Sequence, residues 1–320
     1  MKKLIVLMPV YNDWAAASVL ARELDSAFLL RQDEIKLVVI DDGSDEPMPE
    51  TAFPRHFERI RTVEVVRLKR NLGHQRAIAV GLVHIHTQAK GSDYSVIVMD
   101  SDGEDQPVEA VRLLDELRRG DSRQVVFASR THRCEGVLFK LAYFAYRSAF
   151  RLLTGQKIRF GNFSALSARH VDVLVVCSET WVNYPAAVIK ARIPHTAVET
   201  SKGHRYAGKS RMSLAGLFLH GFSAMSVYND VIGVRVVYFV LVMLAVLSAG
   251  LMTTVGIRLA TNAAIPGWAT YTAGVLAIMV LQSVTMGFSF LFTVLGNRMA
   301  ATVLPLREAP VFIDRVDVLS

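Results

Sequence analysis

Four of the six residues from Asp100 to Asp105 are acidic, and they directly follow the apolar run 96–99. That run predicts a buried strand. Carboxylates crowded at a strand end repel one another unless a cation lies among them. Asp100 and Asp102 are separated by one residue, so an extended loop lets both reach one hard cation, with Glu104 as a third oxygen ligand. Mg²⁺ or Mn²⁺ suits such a site; a solvated acidic loop is the alternative for an isolated D-x-D.

A second acidic pair, Asp41 and Asp42, ends the apolar run 37–40. Carboxylates at a strand tip accept hydrogen bonds from ribose hydroxyls, although Asp-Gly-Ser is also ordinary turn chemistry. Neither G-x-G-x-x-G nor G-x-x-x-x-G-K-[ST] follows the first apolar run, so the usual phosphate cradle of a dinucleotide oxidoreductase or a P-loop enzyme is missing there.

Short β-branched runs alternate with helical patterns up to about residue 130. The predicted strands are 4–10, 36–41, 63–68, 94–100 and 124–130, and the predicted helices begin near residues 15, 74 and 107. Pro107 at a helix start and Gly120 just beyond its end fit the usual helix termini. This alternation predicts an α/β fold, Rossmann-like with a mainly parallel sheet, in which ligands bind at the carboxyl ends of the strands.

The composition indicates contact with lipid, since 52% of the 320 residues are hydrophobic and the mean hydropathy is +0.31. A net charge of +7 fits nucleic acid, anionic membrane or a phosphorylated substrate equally well. Two cysteines, Cys134 and Cys177, form no disulfide or metal pattern, which favours a reduced, cytosol-facing domain. The N-terminal "MKKLIVLMPVYN" resembles a signal peptide, but Pro9 interrupts it, so a first β-strand is the better interpretation.

Two uncharged stretches near the C-terminus are long enough to cross a bilayer. The first is Val236–Ile257, and the second ends at Gly296; each matches the roughly 20 residues that span about 30 Å of hydrocarbon. Basic residues precede the first stretch and follow the second, whereas the connection carries only Arg258. The positive-inside rule therefore predicts a two-helix transmembrane hairpin with both termini in the cytoplasm. A buried helical pair in a soluble protein is the alternative.

Two further segments have the character of helices at the membrane surface. Residues 137–153 are apolar apart from Lys140, Arg147 and Arg151 on one face, and apolar residues recur at helical spacing through 212–232. Both patterns also fit helices packed on a soluble domain. The predicted organisation is a catalytic domain at 1–211, a juxtamembrane interfacial helix at 212–232, the hairpin at 233–297 and a cytoplasmic tail at 298–320, in which "EAPVFIDRVDVL" predicts a returning strand.

Ordered motifs in this chain resemble the family-2 inverting glycosyltransferases of the GT-A fold, and among them the polyisoprenyl-phosphate glycosyltransferases. The motifs are "MPVYN", "IDDGS", "RNLGHQRAIAVGL", "MDSDGEDQP", "FGNFSAL" and "RYAGKSRM", followed by the two apolar stretches. The resemblance covers nearly the whole chain. The chain is similar to dolichol-phosphate mannose synthase and to bacterial undecaprenyl-phosphate glucosyltransferases.

The resemblance implies a role for each matching residue. Around the base and ribose of a sugar nucleotide it places Pro9, Tyr11, Asp41 and Asp42. On the divalent metal of the diphosphate it places Asp100, Asp102 and Glu104. At the acceptor phosphate and the diphosphate it places Arg130, Arg205, Lys209, Ser210 and Arg211. The last assignment also has a reason independent of the resemblance. A guanidinium group binds two phosphate oxygens at once, and its charge neutralises the departing nucleotide.

The chain departs from the family pattern at three places. Relatives commonly have Asp-Phe-Arg-Leu where this chain has 162–165 "NFSA", Glu at Lys209, and Leu-Gln at 103–104. Loss of the acid need not abolish catalysis, since a phosphate monoester has a second pKa near 6 and is mostly dianionic at neutral pH. Such a nucleophile needs positioning but no general base. A neutral hydroxyl acceptor would need one, and Asp105 is then the candidate.

The expected activity is metal-dependent, inverting transfer of a sugar from a nucleotide diphosphate to a polyprenyl phosphate at the cytoplasmic face of the plasma membrane. Two alternatives stay open: a glycosyltransferase acting on another membrane glycolipid or a surface polysaccharide, and a catalytically silent sugar-nucleotide-binding membrane scaffold. The expected partners are the donor, the acceptor and the bilayer, with no nucleic acid. Homo-oligomerisation through the hairpin and tail is an open question that the resemblance raises.

Three histidine and glutamine positions have less specific patterns. His74 and Gln75 fit either a nucleotide-proximal loop or a structural helix cap. His84 has no ligand partner at metal spacing, so it is interpreted as a packing or surface residue.

Overall fold

The computed structural model describes residues 3–130, 148–156, 160–206, 222–260, 267–299 and 303–319. The chain divides into two compact units. Unit 1 comprises residues 1–145, 157–227 and 302–320, and unit 2 comprises residues 146–156 and 228–301.

Unit 1 is built on a mixed sheet, to which the described residues contribute eight strands. These are β1 Lys3–Val10, β2 Glu34–Asp41, β3 Ile60–Leu68, β4 Tyr94–Val98, β5 Val125–Arg130, β6 Ser164–Ser167, β7 His195–Thr200 and β8 Ile313–Leu319. Their order in the sheet is β7-β5-β6-β4-β1-β2-β3-β8. β1 pairs in parallel with β2 and β4, β2 with β3, and β5 with β7, whereas β6 and β8 are antiparallel to their neighbours. The predicted α/β fold with a mainly parallel sheet is confirmed.

Helices cover both faces of this sheet. They are α1 Trp14–Ala27, α2 His74–Ala89, α3 Pro107–Arg119, α4 Ala168–Leu174, a 3₁₀ helix Ser178–Trp181 and α5 Tyr184–Lys190. Along β1, Leu4, Val6 and Met8 belong to one buried apolar cluster, and Ile5 and Leu7 belong to the other. Because both faces are buried, β1 is continuously apolar instead of alternating.

The C-terminal part of unit 1 differs from its prediction. The predicted strand over 308–319 begins only at Ile313, because α8, Pro305–Phe312, precedes it. Pro305 occupies the first turn, where a missing N–H costs nothing, and Ala309 is fully buried in the same cluster as α2. β8 pairs with β3, so this predicted tail contributes the outermost strand on one side of the sheet.

Unit 2 contains the two long apolar helices, α6 Asn229–Ala260 and α7 Trp268–Met299. Each has 32 residues, a length of about 48 Å at 1.5 Å per residue, so both are long and apolar enough to span a bilayer. They pack closely at Gly233, where an added Cβ would lie 2.8 Å from Val294 Cγ2. The two predicted stretches are confirmed as helices.

Most of the two predicted interfacial helices lies outside the described residues. Of 137–153, residues 148–153 are described and are helical; of 212–232, residues 222–226 are helical and 229–232 belong to α6. In unit 2, Phe150 contacts Tyr228 edge to face, with ring centroids 6.1 Å apart.

Candidate functional site

The acidic loop, residues 99–106, connects β4 to α3 at the carboxyl edge of the sheet. Its backbone is held by its own carboxylates, since Asp105 Oδ2 accepts from the N–H of Asp100 at 3.0 Å and Asp102 Oδ1 accepts from the N–H of Glu104 at 2.9 Å. Asp105 is only 2% exposed. Its described role is therefore to close the loop, and its use as a general base stays a prediction.

Each carboxylate predicted to bind metal lies beside a basic side chain. Asp102 Oδ2 is 3.0 Å from Arg205 Nη2, and Glu104 Oε1 is 3.1 Å from Lys202 Nζ. Asp100 Oδ1 is 3.2 Å from His74 Nε2. Within the described ranges, no three or more His, Cys, Asp or Glu side chains are arranged to hold a metal ion.

The carboxylates of the acidic loop also repel one another. Burial raises the pKa of Asp102, and the charges of Asp100 and Glu104 raise it further, against the opposing effects of the Glu104 N–H and Arg205. The carboxylates of Asp100 and Glu104 are therefore close enough to repel that of Asp102. The oxygen donor set fits Mg²⁺ or Mn²⁺, but the donors must first leave their present partners.

Residues 201–206, which follow β7, lie directly on the acidic loop. Gly203 N–H donates to Glu104 O at 2.9 Å, and Tyr206 N–H donates to Asp102 O at 3.0 Å. The ring of Tyr206 packs on Gly103, whose φ is +88° and where an added Cβ would lie 2.3 Å from that ring. The Tyr206 hydroxyl donates to Glu23 of α1. The 201–206 segment is thus fastened to both the loop and a helix.

An open cavity of about 540 Å³ lies beside this contact, lined by Glu23, Ser26, Ala27, Gly103, Gln106, Pro107, Val108, Gly203, His204, Arg205 and Tyr206. Burial, followed by the neighbouring Glu23 carboxylate, raises the pKa of Tyr206. The Tyr206 phenol therefore remains a hydrogen-bond donor at neutral pH.

Residues 203–210 also spell G-x-x-x-x-G-K-S, the P-loop pattern, but they follow β7 and not the first strand. A P-loop directs its backbone N–H groups at phosphate oxygens. Here the N–H groups of Gly203 and Tyr206 already donate to the acidic loop. The described half of the pattern is therefore not a phosphate cradle.

A chain of side-chain hydrogen bonds links α5 to the acidic loop. The N–H of Tyr184 donates to Gln75 Oε1 at 2.8 Å, and Gln75 Nε2 donates to Asn162 Oδ1 at 2.9 Å. Asn162 Nδ2 is 2.8 Å from His74 Nε2. Because a backbone N–H can only donate, it fixes both amide orientations, and His74 Nε2 accepts from Asn162.

The carboxylates around His74 act against that arrangement. Burial disfavours a charged imidazole, but Asp100, Asp42 and Asp105 outweigh it and raise the pKa of His74. A protonated His74 would donate to Asp100, and Asn162 would have to turn. The sequence pattern indicated His74 and Gln75 as single candidates. It could not predict their hydrogen bonds to Asn162, because Asn162 lies 87 residues from Gln75 in the chain.

The residues predicted to surround the nucleotide meet at the ends of β1 and β2, where Pro9 pairs in register with Ile40 and Val10 with Asp41. Tyr11 is 40% exposed, and its hydroxyl donates to Asp45 Oδ2 at 3.0 Å. The contacts of Tyr11 and Pro9 with a nucleotide stay predictions.

Asp41 and Asp42 are both buried and bonded to backbone. Asp41 Oδ1 accepts from the Ser44 N–H at 2.9 Å, and Asp42 accepts from the Leu72 and Gly73 N–H groups at 2.7 and 3.0 Å. Burial raises the pKa of Asp42, partly offset by those two N–H groups. The turn interpretation of these acids describes the structure, and Asp42 holds the loop that leads into α2.

The predicted phosphate-binding residues are only partly described. Arg130 ends β5, and its backbone pairs in register with Thr200, the last residue before the 201–206 segment. Arg205 lies on the acidic loop, as given above. Lys209, Ser210 and Arg211 lie outside the described residues.

His84 belongs to a buried cluster outside the site. Its Nε2 is 2.9 Å from Glu64 Oε2, and Lys36 Nζ is 2.6 Å from Glu64 Oε1. Burial opposes ionisation of Glu64, but His84 and Lys36 outweigh it and lower the Glu64 pKa to about 2. The packing interpretation of His84 is confirmed, and its carboxylate partner on β3 was not foreseen.

The doubly wound sheet and the acidic loop at its carboxyl edge define an α/β enzyme of the GT-A fold. Residues 5–174 match the family described as Glycosyl transferase family 2. The chain belongs to this family and is a glycosyltransferase, which confirms the resemblance seen in its motifs.

Two curated relatives are similar to this chain. The undecaprenyl-phosphate 4-deoxy-4-formamido-L-arabinose transferase of Erwinia tasmaniensis is 27% identical over 218 residues, covering 68% of this chain and 65% of that protein. The chain thus matches just under two thirds of that relative's length. The uncharacterized glycosyltransferase YkcC of Bacillus subtilis is 22% identical over 314 residues, covering 96% of this chain and 92% of that protein.

Among solved structures, the chain is similar to glucosyl-3-phosphoglycerate synthase from Mycobacterium tuberculosis in complex with Mn²⁺, uridine-diphosphate-glucose and phosphoglyceric acid. The TM-score is 0.50 at 18% identity, covering 72% of this chain and 80% of that one. This likeness establishes the fold.

Proposed function

We propose that this glycosyltransferase moves a sugar from a nucleotide diphosphate to a polyprenyl phosphate, with inversion at the anomeric carbon and with Mg²⁺ or Mn²⁺ as cofactor. The observation that carries the proposal is the meeting of Asp102 and Arg205 at the carboxyl edge of the sheet, 3.0 Å apart. A carboxylate for a divalent cation and a guanidinium for phosphate are the two groups that a metal-bound diphosphate requires.

The acceptor class is supported by the relatives and by composition. The Erwinia tasmaniensis relative and others of the same name are called undecaprenyl-phosphate transferases. α6 and α7 would keep the enzyme where a water-insoluble acceptor is found. The excess of basic residues outside the two apolar stretches supports a position of unit 1 on the cytoplasmic face of the plasma membrane.

The metal-binding residues in this proposal are Asp100, Asp102 and Glu104. Their oxygen donors and mutual repulsion suit a hard cation, and Mn²⁺ is present in the Mycobacterium tuberculosis structure. Such an ion, when bound, neutralises charge on the diphosphate leaving group.

Transfer is a single displacement. An oxygen of the acceptor phosphate attacks the anomeric carbon, the bond from that carbon to the diphosphate oxygen breaks, and the nucleoside diphosphate leaves. The phosphate dianion needs no proton removed, which agrees with an amide at Asn162 where relatives have an acid. Arg205 would stabilise the leaving group and Arg130 the acceptor phosphate, with Lys209, Ser210 and Arg211 as further phosphate contacts.

The nucleotide would lie at the ends of β1 and β2. Exposed Tyr11 suits contact with the base, and Pro9 shapes the strand end beside it. Asp41 and Asp42 would act chiefly by holding the surrounding turns, since their carboxylates already accept backbone N–H groups. The domain boundaries 1–211, 212–232, 233–297 and 298–320 remain a prediction; the pairing of β8 with β3 makes the last part a structural piece of the sheet.

A donor screen tests the proposal. Purified full-length protein in detergent is mixed with undecaprenyl phosphate, Mg²⁺ or Mn²⁺ and a panel of nucleotide sugars, and nucleoside diphosphate release is measured. We expect one donor to give a glycosyl phosphoprenol that mild acid hydrolyses. Asp102→Asn should lower turnover at least about 100-fold, whereas Asp121→Asn, an exposed acid beyond the far end of α3, should not.

Two outcomes would contradict it. A product that resists mild acid would indicate another glycolipid or a polysaccharide as acceptor. Absence of turnover with every donor would indicate the catalytically silent scaffold.

A further inference from the structure

We propose that Arg205 is an exchangeable counter-ion: in the nucleotide-free protein it neutralises Asp102, and when donor and divalent cation bind it transfers to the diphosphate while the cation takes Asp102. The inference rests on the proposed function and adds a coupling between its two ligands. Diphosphate and cation each bind well only when the other is present, because each releases the partner that the other binds.

The contacts around Arg205 place it to make this exchange by side-chain rotation alone. The backbone on either side is fixed, since Gly203 N–H donates to Glu104 O and Tyr206 N–H donates to Asp102 O. The Tyr206 ring lies on Gly103 and its hydroxyl is bound to Glu23. The segment therefore keeps its place on the acidic loop while the guanidinium changes partner.

The present bond of Arg205 leaves much of its guanidinium unused. Only Nη2 donates to Asp102 Oδ2, at 3.0 Å, and within the part of the chain that the structure describes the buried Nε has no hydrogen-bond partner. A guanidinium bound at one nitrogen is less firmly held than one bound through a bidentate pair. Diphosphate oxygens offer the paired acceptors that Asp102 does not receive.

The two ligands should depend on each other because each partly buried charge needs a counter-charge. Arg205 cannot lose its proton, so it leaves Asp102 only by moving to another anion or to water. A cation arriving alone would displace it and leave a partly buried guanidinium without a counter-charge, which is unfavourable. With a diphosphate present, every charge keeps a partner. The coupling is reciprocal, so diphosphate should tighten metal binding and metal should tighten diphosphate binding by the same factor.

The experiment measures Mn²⁺ binding by electron paramagnetic resonance of free Mn²⁺, on the full chain in detergent, with and without inorganic pyrophosphate and with a protein-free titration as blank. Three variants are compared with the wild type. Arg205→Gln removes the counter-ion, Arg205→Lys keeps its charge, and Arg119→Gln removes a matched exposed arginine, paired with Glu116 about 18 Å along α3 from its first residue.

Without pyrophosphate, Arg205→Gln should bind Mn²⁺ about fivefold more tightly than the wild type, the factor that corresponds to losing a competing ion pair of about 1 kcal/mol. Arg205→Lys and Arg119→Gln should bind as the wild type does. Pyrophosphate should tighten Mn²⁺ binding in the wild type and lose most of that effect in Arg205→Gln.

Two results would overturn the exchange and can be told apart. If Mn²⁺ binds but Arg205→Gln has equal or weaker affinity without pyrophosphate, the counter-ion role is wrong and metal-dependent transfer stands. If no form binds Mn²⁺ even with pyrophosphate, the metal-dependent function is overturned together with the exchange.

Discussion

Replacing Glu64 by Gln should destabilise unit 1 in a manner that depends on pH. Glu64 is 7% exposed on β3, with Lys36 Nζ at 2.6 Å and His84 Nε2 at 2.9 Å. These two partners lower its pKa from 4.5 to about 2. One pKa unit is worth about 1.4 kcal/mol, so the ionised carboxylate contributes about 3 kcal/mol to the free energy of unfolding at neutral pH.

The sign of the pH dependence follows from the direction of that change. A carboxyl whose folded pKa is lowered contributes its stability fully above the unfolded pKa, near 4.5, and loses it as pH falls through about 2. The difference between wild type and Glu64→Gln should therefore be about 3 kcal/mol at pH 7 and about 1 kcal/mol at pH 3.

The assay is urea unfolding of the full chain in detergent, followed by tryptophan fluorescence, at several pH values between 7 and 3. Trp14 and Trp181 are both buried in unit 1 and report its unfolding. Glu116→Gln, which removes an ion pair with exposed Arg119, is the control and should change little at any pH. A Glu64→Gln difference that stays constant from pH 7 to pH 3 would refute the reasoning.

Three further predictions concern the site and the helices. Gly103→Ala introduces a side chain at φ +88° and 2.3 Å from the Tyr206 ring, so amide hydrogen exchange in residues 201–206 should speed up about tenfold or more, given a strain of about 1–2 kcal/mol; unchanged exchange would contradict the packing. Asp42→Ala leaves two buried N–H groups without an acceptor and should lower the free energy of unfolding by about 2–4 kcal/mol, whereas a residue that served only the nucleotide would lower donor affinity alone. Gly233→Leu meets Val294 and should lower the thermal midpoint in detergent, while Gly256→Leu, with open space around it, should not; equal effects would show that the contact is unimportant.

The parts of this fold that follow from sequence are those set by local periodicity. The apolar runs that became β1 to β5 bury both faces, and α6 and α7 contain uncharged stretches that are long enough to span a bilayer. β6 was not predicted because it has only four residues, and β7 was not predicted because half of it is exposed. The start of α8 was missed because a helix containing Pro310 has no clear helical pattern.

The site was predictable in its location but not in its pairing. The acidic loop is predictable because several acidic residues directly follow an apolar strand. The partners of its carboxylates lie far away in sequence, as Arg205 is 103 residues from Asp102. The same distance effect hid the role of Asp42, whose two N–H donors come from a loop 30 and 31 residues further on. Acidic residues at strand ends look alike in the sequence. Only the three-dimensional structure shows which of them, such as Asp42, support a loop and which, such as Asp102, are candidates for binding a ligand.

The position of β8 limits how a soluble form of this enzyme can be made. A chain that stops before α6 would lack β8, so the backbone N–H and C=O groups of β3 that face β8 between Val63 and Leu68 would have no partner. Such an open edge recruits strands from other molecules and promotes aggregation. Removing the apolar helices while retaining residues 303–319 would keep that edge closed, so excision from the interior of the gene is preferable to a stop codon.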